Sequence, residues 1–136
     1  MSFPTITAFY AGLFGLLYVA LSLWVSMGRL QMNVINGDGG HARLSLRIRA
    51  HANFAEYVPL GLLVAALAEG LGAASTTMHA LLLPLLVARL LHPFGMFAPV
   101  RSMRQLAMRG LPAIATWVVL AAASAILLIQ LVPRMS

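Results

Sequence analysis

The stretch Arg49-Ala50-His51-Ala52-Asn53-Phe54-Ala55-Glu56-Tyr57 gathers a guanidinium, an amide, a carboxylate and a phenol within a few helical turns. On an α-helix Arg49, Asn53 and Glu56 stand at i, i+4 and i+7 and form one narrow stripe, with Tyr57 at its edge, while Arg47 and His51 face the other way. Arg89, His92 and Met96 repeat the pattern at i, i+3 and i+7. A carboxylate can receive an amine, and guanidinium forks can hold carboxylates. The mix suits a zwitterionic or peptide-like ligand with extra negative charge. The same groups could instead tie helices together, as intramembrane polar side chains commonly do.

The elements that must carry these groups are apolar. Of 136 residues, 61% are hydrophobic and 9% charged, whereas a soluble domain carries about 25% charged residues. All nine basic residues are Arg, against three acids, for a net charge of +6. Such hydrophobicity excludes disorder. The charges are too few for a surface that tracks nucleic-acid phosphates, so no nucleic-acid partner is expected. With no Cys, the chain has neither a disulfide framework nor a thiol of its own.

The composition predicts an all-α integral membrane protein. Four segments, 3–27, 44–71, 77–97 and 111–132, approach the about 20 residues a span requires. They fill 1–136 as a single domain, with no internal repeat and no room for a soluble module. The first segment lacks a basic n-region and is too long for a signal-peptide core, so it reads as a span. Pro84 should kink the third span, and the small residues from Ala121 to Ala125 should allow close packing of the fourth.

Between Tyr57 and Glu69 too few apolar residues remain to cross a bilayer, so Asn53 and Glu56 must lie inside the second span. A Glu there costs several kcal/mol unless paired or facing a polar cavity. Arg29, Arg43, Arg101, Arg104 and Arg109 fall in two long loops, 28–43 and 98–110, and the Gly-rich turn from Glu69 to Thr76 has no basic residue. The positive-inside rule predicts cytoplasmic long loops and both termini on the opposite side, with Arg134 the one tail charge against it.

Other groups read blandly. Asn36-Gly37-Asp38-Gly39-Gly40 is a turn, since no P-loop Lys or Ser/Thr follows. The His and acidic residues show no metal-ligand spacing, so no metal is expected. His51 reads as a packing residue, His79 as interfacial, and the Met residues as filler. No Ser-His-Asp arrangement is evident.

The second-span segment Arg49-Ala50-x-x-Asn53-x-x-Glu56-x-x-Pro59 resembles the signature of the MAPEG family, the membrane-associated proteins in eicosanoid and glutathione metabolism. The Gly-Asp-Gly-Gly run and the chain length resemble the family's bacterial branch, and Arg89 and His92 resemble its polar pair on the third helix. The resemblance covers essentially the whole chain, and the second-helix motif is its specific part.

The resemblance implies a homotrimer of four-helix bundles in a bacterial inner membrane, with glutathione bound between neighbouring subunits near the cytoplasmic leaflet. It implies that Asn53 and Glu56 contact glutathione, with Glu56 taking the γ-glutamyl ammonium. Arg49 and Arg89 would help hold carboxylates, Tyr57 matches a ligand-contacting Tyr, and His92 stands where other members carry His or Tyr. Glutathione would supply the thiol this chain lacks, and the bilayer a lipophilic electrophile. The family's thiolate-activating Arg lies at the start of the fourth helix. Arg109 fits by position, Arg104 is second, and Arg101-Ser102 is similar to an Arg-Ser pair of one branch. Met96 departs from the Tyr that several enzymatic members carry. The expected activity is a glutathione-dependent transferase or peroxidase. The rival is a non-catalytic lipid-binding or scaffold protein, a role also found in the family. A small transporter subunit fits poorly, since matched halves with broken helices are missing.

Overall fold

A computed structural model describes residues 2–135. Helix α1 is Thr5–Gln31, α2 Ala42–Gly70, α3 Ser75–Gly95 and α4 Met103–Met135. Each is long and apolar enough to cross a bilayer, and no strand occurs among the described residues. Helix α1 packs on α2 and α3, α4 packs on the same two, and α2 meets α3 across the bundle. The expected all-helical four-span architecture is therefore the architecture of the chain.

Helical spacing builds the core. Phe14 and Leu21 of α1, Phe54 and Val58 of α2, and Met78, Leu82 and Leu85 of α3 turn inward, joined by Val119 of α4. The outward faces remain apolar, with Leu16, Leu60, Leu83, Trp117 and Ile129 exposed. In a bilayer those faces meet lipid. Helix α3 continues through Pro84 without ending there.

The start of α4 departs from expectation. The fourth span was expected from residue 111, yet the helix begins at Met103. Ser102 caps it, its Oγ accepting from the Gln105 backbone N–H at 3.1 Å. A π-helical turn over Leu106–Gly110 then joins this first turn to the long apolar segment. Arg104 and Arg109, expected in a loop, are thus helical. The basic side chains made this segment read as loop, and an extra residue held in a π turn leaves no signature in hydropathy. Gly95, at the end of α3, lies against the π turn: a Cβ there would meet the Met108 carbonyl atoms at 2.5 Å and Arg109 N at 2.7 Å.

The end of the bundle opposite the Arg-rich loops is closed by specific hydrogen bonds. Pro4 precedes α1 and provides no side-chain cap. Glu69, from the far end of α2, caps α1 instead: its carboxylate accepts from Ile6 N at 2.8 Å, Thr7 N at 2.7 Å and Thr7 Oγ1 at 2.6 Å. A carboxylate there also complements the positive end of the helix dipole. Arg134 donates to the Leu71 carbonyl at 3.0 Å, and Ser2 N donates to the Gly70 carbonyl at 3.0 Å. His79 shares a 3.1 Å hydrogen bond with the Tyr10 hydroxyl, so it joins α3 to α1.

The segment between α1 and α2 is the expected turn. Gly37, Gly39 and Gly40 take positive φ values of 66°, 57° and 78°. Asp38 Oδ1 accepts from Gly40 N at 3.0 Å, and this bond, aided by Ser45, holds the exposed carboxyl below its usual range.

Two outcomes follow from this packing. Gly95→Ala should lower stability by about 1–3 kcal/mol, the range for overpacking a filled contact, read as a lower midpoint in thermal unfolding of the detergent-solubilised protein. Glu69→Leu strands buried donors at the start of α1 and should cost about 1–3 kcal/mol. Hydrogen exchange should then be faster at the Ile6 and Thr7 amides, with those of α3 unchanged.

Candidate functional site

The polar centre of the bundle is the Arg89 side chain. Arg89 is 2% exposed, held on α3 between α2 and α4. Its Nη1 donates to Asn53 Oδ1 at 2.6 Å, and its Nη2 donates to Thr116 Oγ1. The Thr116 hydroxyl in turn donates to the Pro112 carbonyl at 2.9 Å. The guanidinium carbon lies 5.7 Å from the Tyr57 ring centroid, a cation–π distance. Arg89 Nε is buried without a hydrogen-bond partner. One side chain thus connects three helices.

His92 lies one turn further along α3 and is buried. Met96 is buried as well and ends the α3 stripe on an apolar side chain.

The expected α2 stripe divides. Asn53 turns toward Arg89, but Arg49 and Glu56 lie on the outer surface, where they pair with each other at 3.2 Å between Nη1 and Oε1. Their side chains are 61% and 47% exposed. Helix α2 has 29 residues, and every window of about 20 residues within it includes residues 51–61. Glu56 stands at the middle of the helix, so it lies at membrane depth wherever the bilayer sits along α2. An exposed carboxylate at that depth, paired with Arg49 toward the Arg-rich end, requires cover other than lipid.

The two Arg candidates on α4 point to different places. Arg109, on the π turn, lines an open pocket of about 510 Å³ with Arg101, Ser102 and Gln105. Arg104 lines a separate groove between α1 and α3. Within one chain neither meets Asn53 or Glu56. The structure therefore brings Asn53, Tyr57, Arg89 and His92 together, sets Arg49 and Glu56 beside them on the outside, and leaves Arg104 and Arg109 apart.

Arg47 and His51 do face elsewhere, and they clamp α2 to α1. Arg47 Cζ sits 5.2 Å from the Trp24 ring centroid, and its Nη1 donates to the Trp24 carbonyl at 3.3 Å. His51 Nε2 shares a 3.0 Å hydrogen bond with Ser22 and stacks on Tyr18, which fits the packing role expected for it. No cluster of three or more His, Cys, Asp or Glu residues forms among the described residues. Thr116 is the site residue that sequence reading missed. Only its position one turn beyond Pro112 marks it, and that does not reveal a partner on α3.

The outer part of the site offers a carboxylate, a guanidinium and a half-exposed amide edge, and the inner part fixes that amide. Such an arrangement can hold a polar ligand against α2 while the bundle stays shut behind it. Comparison with known proteins agrees with the fold and the motif. The chain is 37% identical over 90 residues to the inner membrane protein YecN of Escherichia coli strain K12, covering 66% of this chain and 69% of that one. The YecN of Escherichia coli O6:H1 matches with the same identity and coverage. The MAPEG family model matches residues 7–129, nearly the full length of the bundle, and the chain belongs to the MAPEG family.

Proposed function

We propose that this protein is an inner-membrane, glutathione-dependent transferase or peroxidase acting on lipophilic electrophiles, and that it works as a homotrimer with its Arg-rich loops in the cytoplasm. The observation that carries this reading is the Glu56 carboxylate, exposed at membrane depth and paired with Arg49 beside the Arg89–Asn53 bond. A charged pair in that position calls for a polar ligand, a second subunit, or both.

The residues present fit glutathione. Its ammonium matches the outward Glu56 carboxylate, and a carboxylate matches the outward Arg49, while the buried Arg89 acts by holding Asn53 in place. The tripeptide supplies a thiol of ordinary pKa about 8.5, mostly protonated at neutral pH. The chain's contribution is positional and electrostatic. Asn53, locked by Arg89, presents its amide in one orientation. Arg109 is the residue proposed to favour ionised sulfur, since it stands on the π turn that begins the long apolar part of α4 and has no acid paired with it; a neighbouring subunit would have to bring it to the ligand. The apolar outer helix faces give lipid-dissolved electrophiles access from the bilayer.

A second reading, ligand binding without catalysis, draws on Met96. This buried thioether stands on the α3 stripe where a hydrogen-bond donor would be needed to hold sulfur from that side.

Calorimetric titration of the purified protein should detect glutathione binding. The variant Asn53→Ala/Glu56→Ala should bind at least about tenfold more weakly, because each charged hydrogen bond contributes about 1.5–3 kcal/mol. Equal binding by both proteins, or binding by neither, would overturn the site. Thiolate absorbance of the bound tripeptide separates the two readings. In the enzyme, Arg109→Ala returns the sulfur toward its ordinary pKa of about 8.5; a binding protein raises no thiolate signal with either chain.

A further inference from the structure

Away from α2, an apolar groove of about 470 Å³ runs between α1 and α3. Leu17, Leu21 and Trp24 form one wall at i, i+4 and i+7, and Leu90, Phe94 and Phe97 form the other with the same spacing. Seven residues of helix give the α1 wall a length of roughly 10 Å, and the other wall runs from α3 into the turn after Gly95. Ala20 opens the space between them, and Phe94 is 60% exposed, so the groove faces the membrane. Its deep end is wholly apolar. Its other end carries Trp24 and Phe97, rings 5.5 Å apart, and the exposed guanidinium of Arg104 at the Arg-rich end of the bundle.

Arg104 has no acid to pair with. The chain's three acids are Asp38, Glu56 and Glu69. Glu56 pairs with Arg49, Glu69 caps α1, and Asp38 closes its own turn. The groove is therefore graded as a membrane lipid is graded: an apolar slot toward the bilayer centre, an aromatic collar, and one uncompensated positive charge at headgroup level.

The geometry points to a binding site for an anionic phospholipid of the leaflet on the Arg-rich side, with one acyl chain between α1 and α3 and the phosphate on Arg104. This assignment does not depend on the glutathione reading, in which Arg109 is placed at the sulfur; it gives Arg104, the second candidate for that role, a different task.

The two Trp residues allow a direct test, because Trp24 lies in the groove and Trp117, 56% exposed on α4, faces bulk lipid. The full chain is reconstituted in phosphatidylcholine vesicles containing brominated phosphatidylglycerol or brominated phosphatidylcholine, as Trp117→Phe to read Trp24 and as Trp24→Phe to read Trp117. Quenching of Trp24 should prefer the anionic lipid by about fivefold, the worth of one guanidinium near a headgroup, and Trp117 should show no preference. Arg104→Ala should abolish the preference at Trp24, whereas Arg43→Ala, which removes an equal charge outside the groove, should keep it. Ala20→Phe, an exposed change, should fill the slot and reduce quenching of Trp24 by either lipid. Equal preference at both Trp residues would show general charge attraction and overturn the site, as would equal loss in the Arg43 and Arg104 variants. Absence of quenching at Trp24 by any lipid would mean that protein, such as a second copy of the chain, covers the groove, and would also overturn it.

Discussion

The buried guanidinium of Arg89 is the constraint around which the bundle is arranged. A charge at that depth is costly, and the cost is contained only where surrounding groups accept its hydrogen bonds. Asn53 and Thr116 are those acceptors, one on α2 and one on α4. Three of the four helices therefore have their rotations fixed by one side chain. Asn53 faces inward to meet Arg89, and Arg49 and Glu56, about 40° and 60° round the same side of α2, fall at the edge of that face and pair on the outside. The outer pair thus adjoins the buried hydrogen bond along one stripe.

The two ends of the bundle are built differently. At one end Glu69, Arg134, His79 and Tyr10 are engaged in hydrogen bonds that bind α1, α2, α3 and α4 to one another. At the other end Arg104 and Arg109 reach into open pockets. A membrane bundle has little hydrophobic drive to hold its helices together, since lipid solvates apolar faces as well as protein does. Hydrogen bonds at the closed end and at Arg89 do that holding. The open end can then keep unpaired cations without loosening the fold, and those cations are the groups available to anionic ligands.

This division also explains what could be read in the sequence. The α2 stripe was legible because helical spacing alone puts Arg49, Asn53 and Glu56 on neighbouring positions, and because charge is so rare in the chain that each instance stands out. Four spans were legible from hydropathy, and the first three agree with the helices to within a few residues. The cap that Glu69 gives α1 was hidden, since it joins residues 62 positions apart and no local signal links them. Thr116 was hidden for the same reason. The early start of α4 was hidden because a π turn changes hydrogen bonding without changing composition. Arg104 and Arg109, five residues apart, lie on different sides of α4 and line different pockets.

The partition of the Arg residues follows from the same scarcity of acids. Nine guanidiniums face three carboxylates, and each carboxylate is already engaged within the chain. The excess positive charge must be met by something outside the chain. On the function proposed above, a small anionic molecule with its own hydrogen-bonding groups would meet part of that charge; on the lipid site proposed above, an anion with a long apolar tail would meet Arg104, which caps an apolar slot. The neighbouring helix face, apolar or polar, would then decide which chemistry each guanidinium serves.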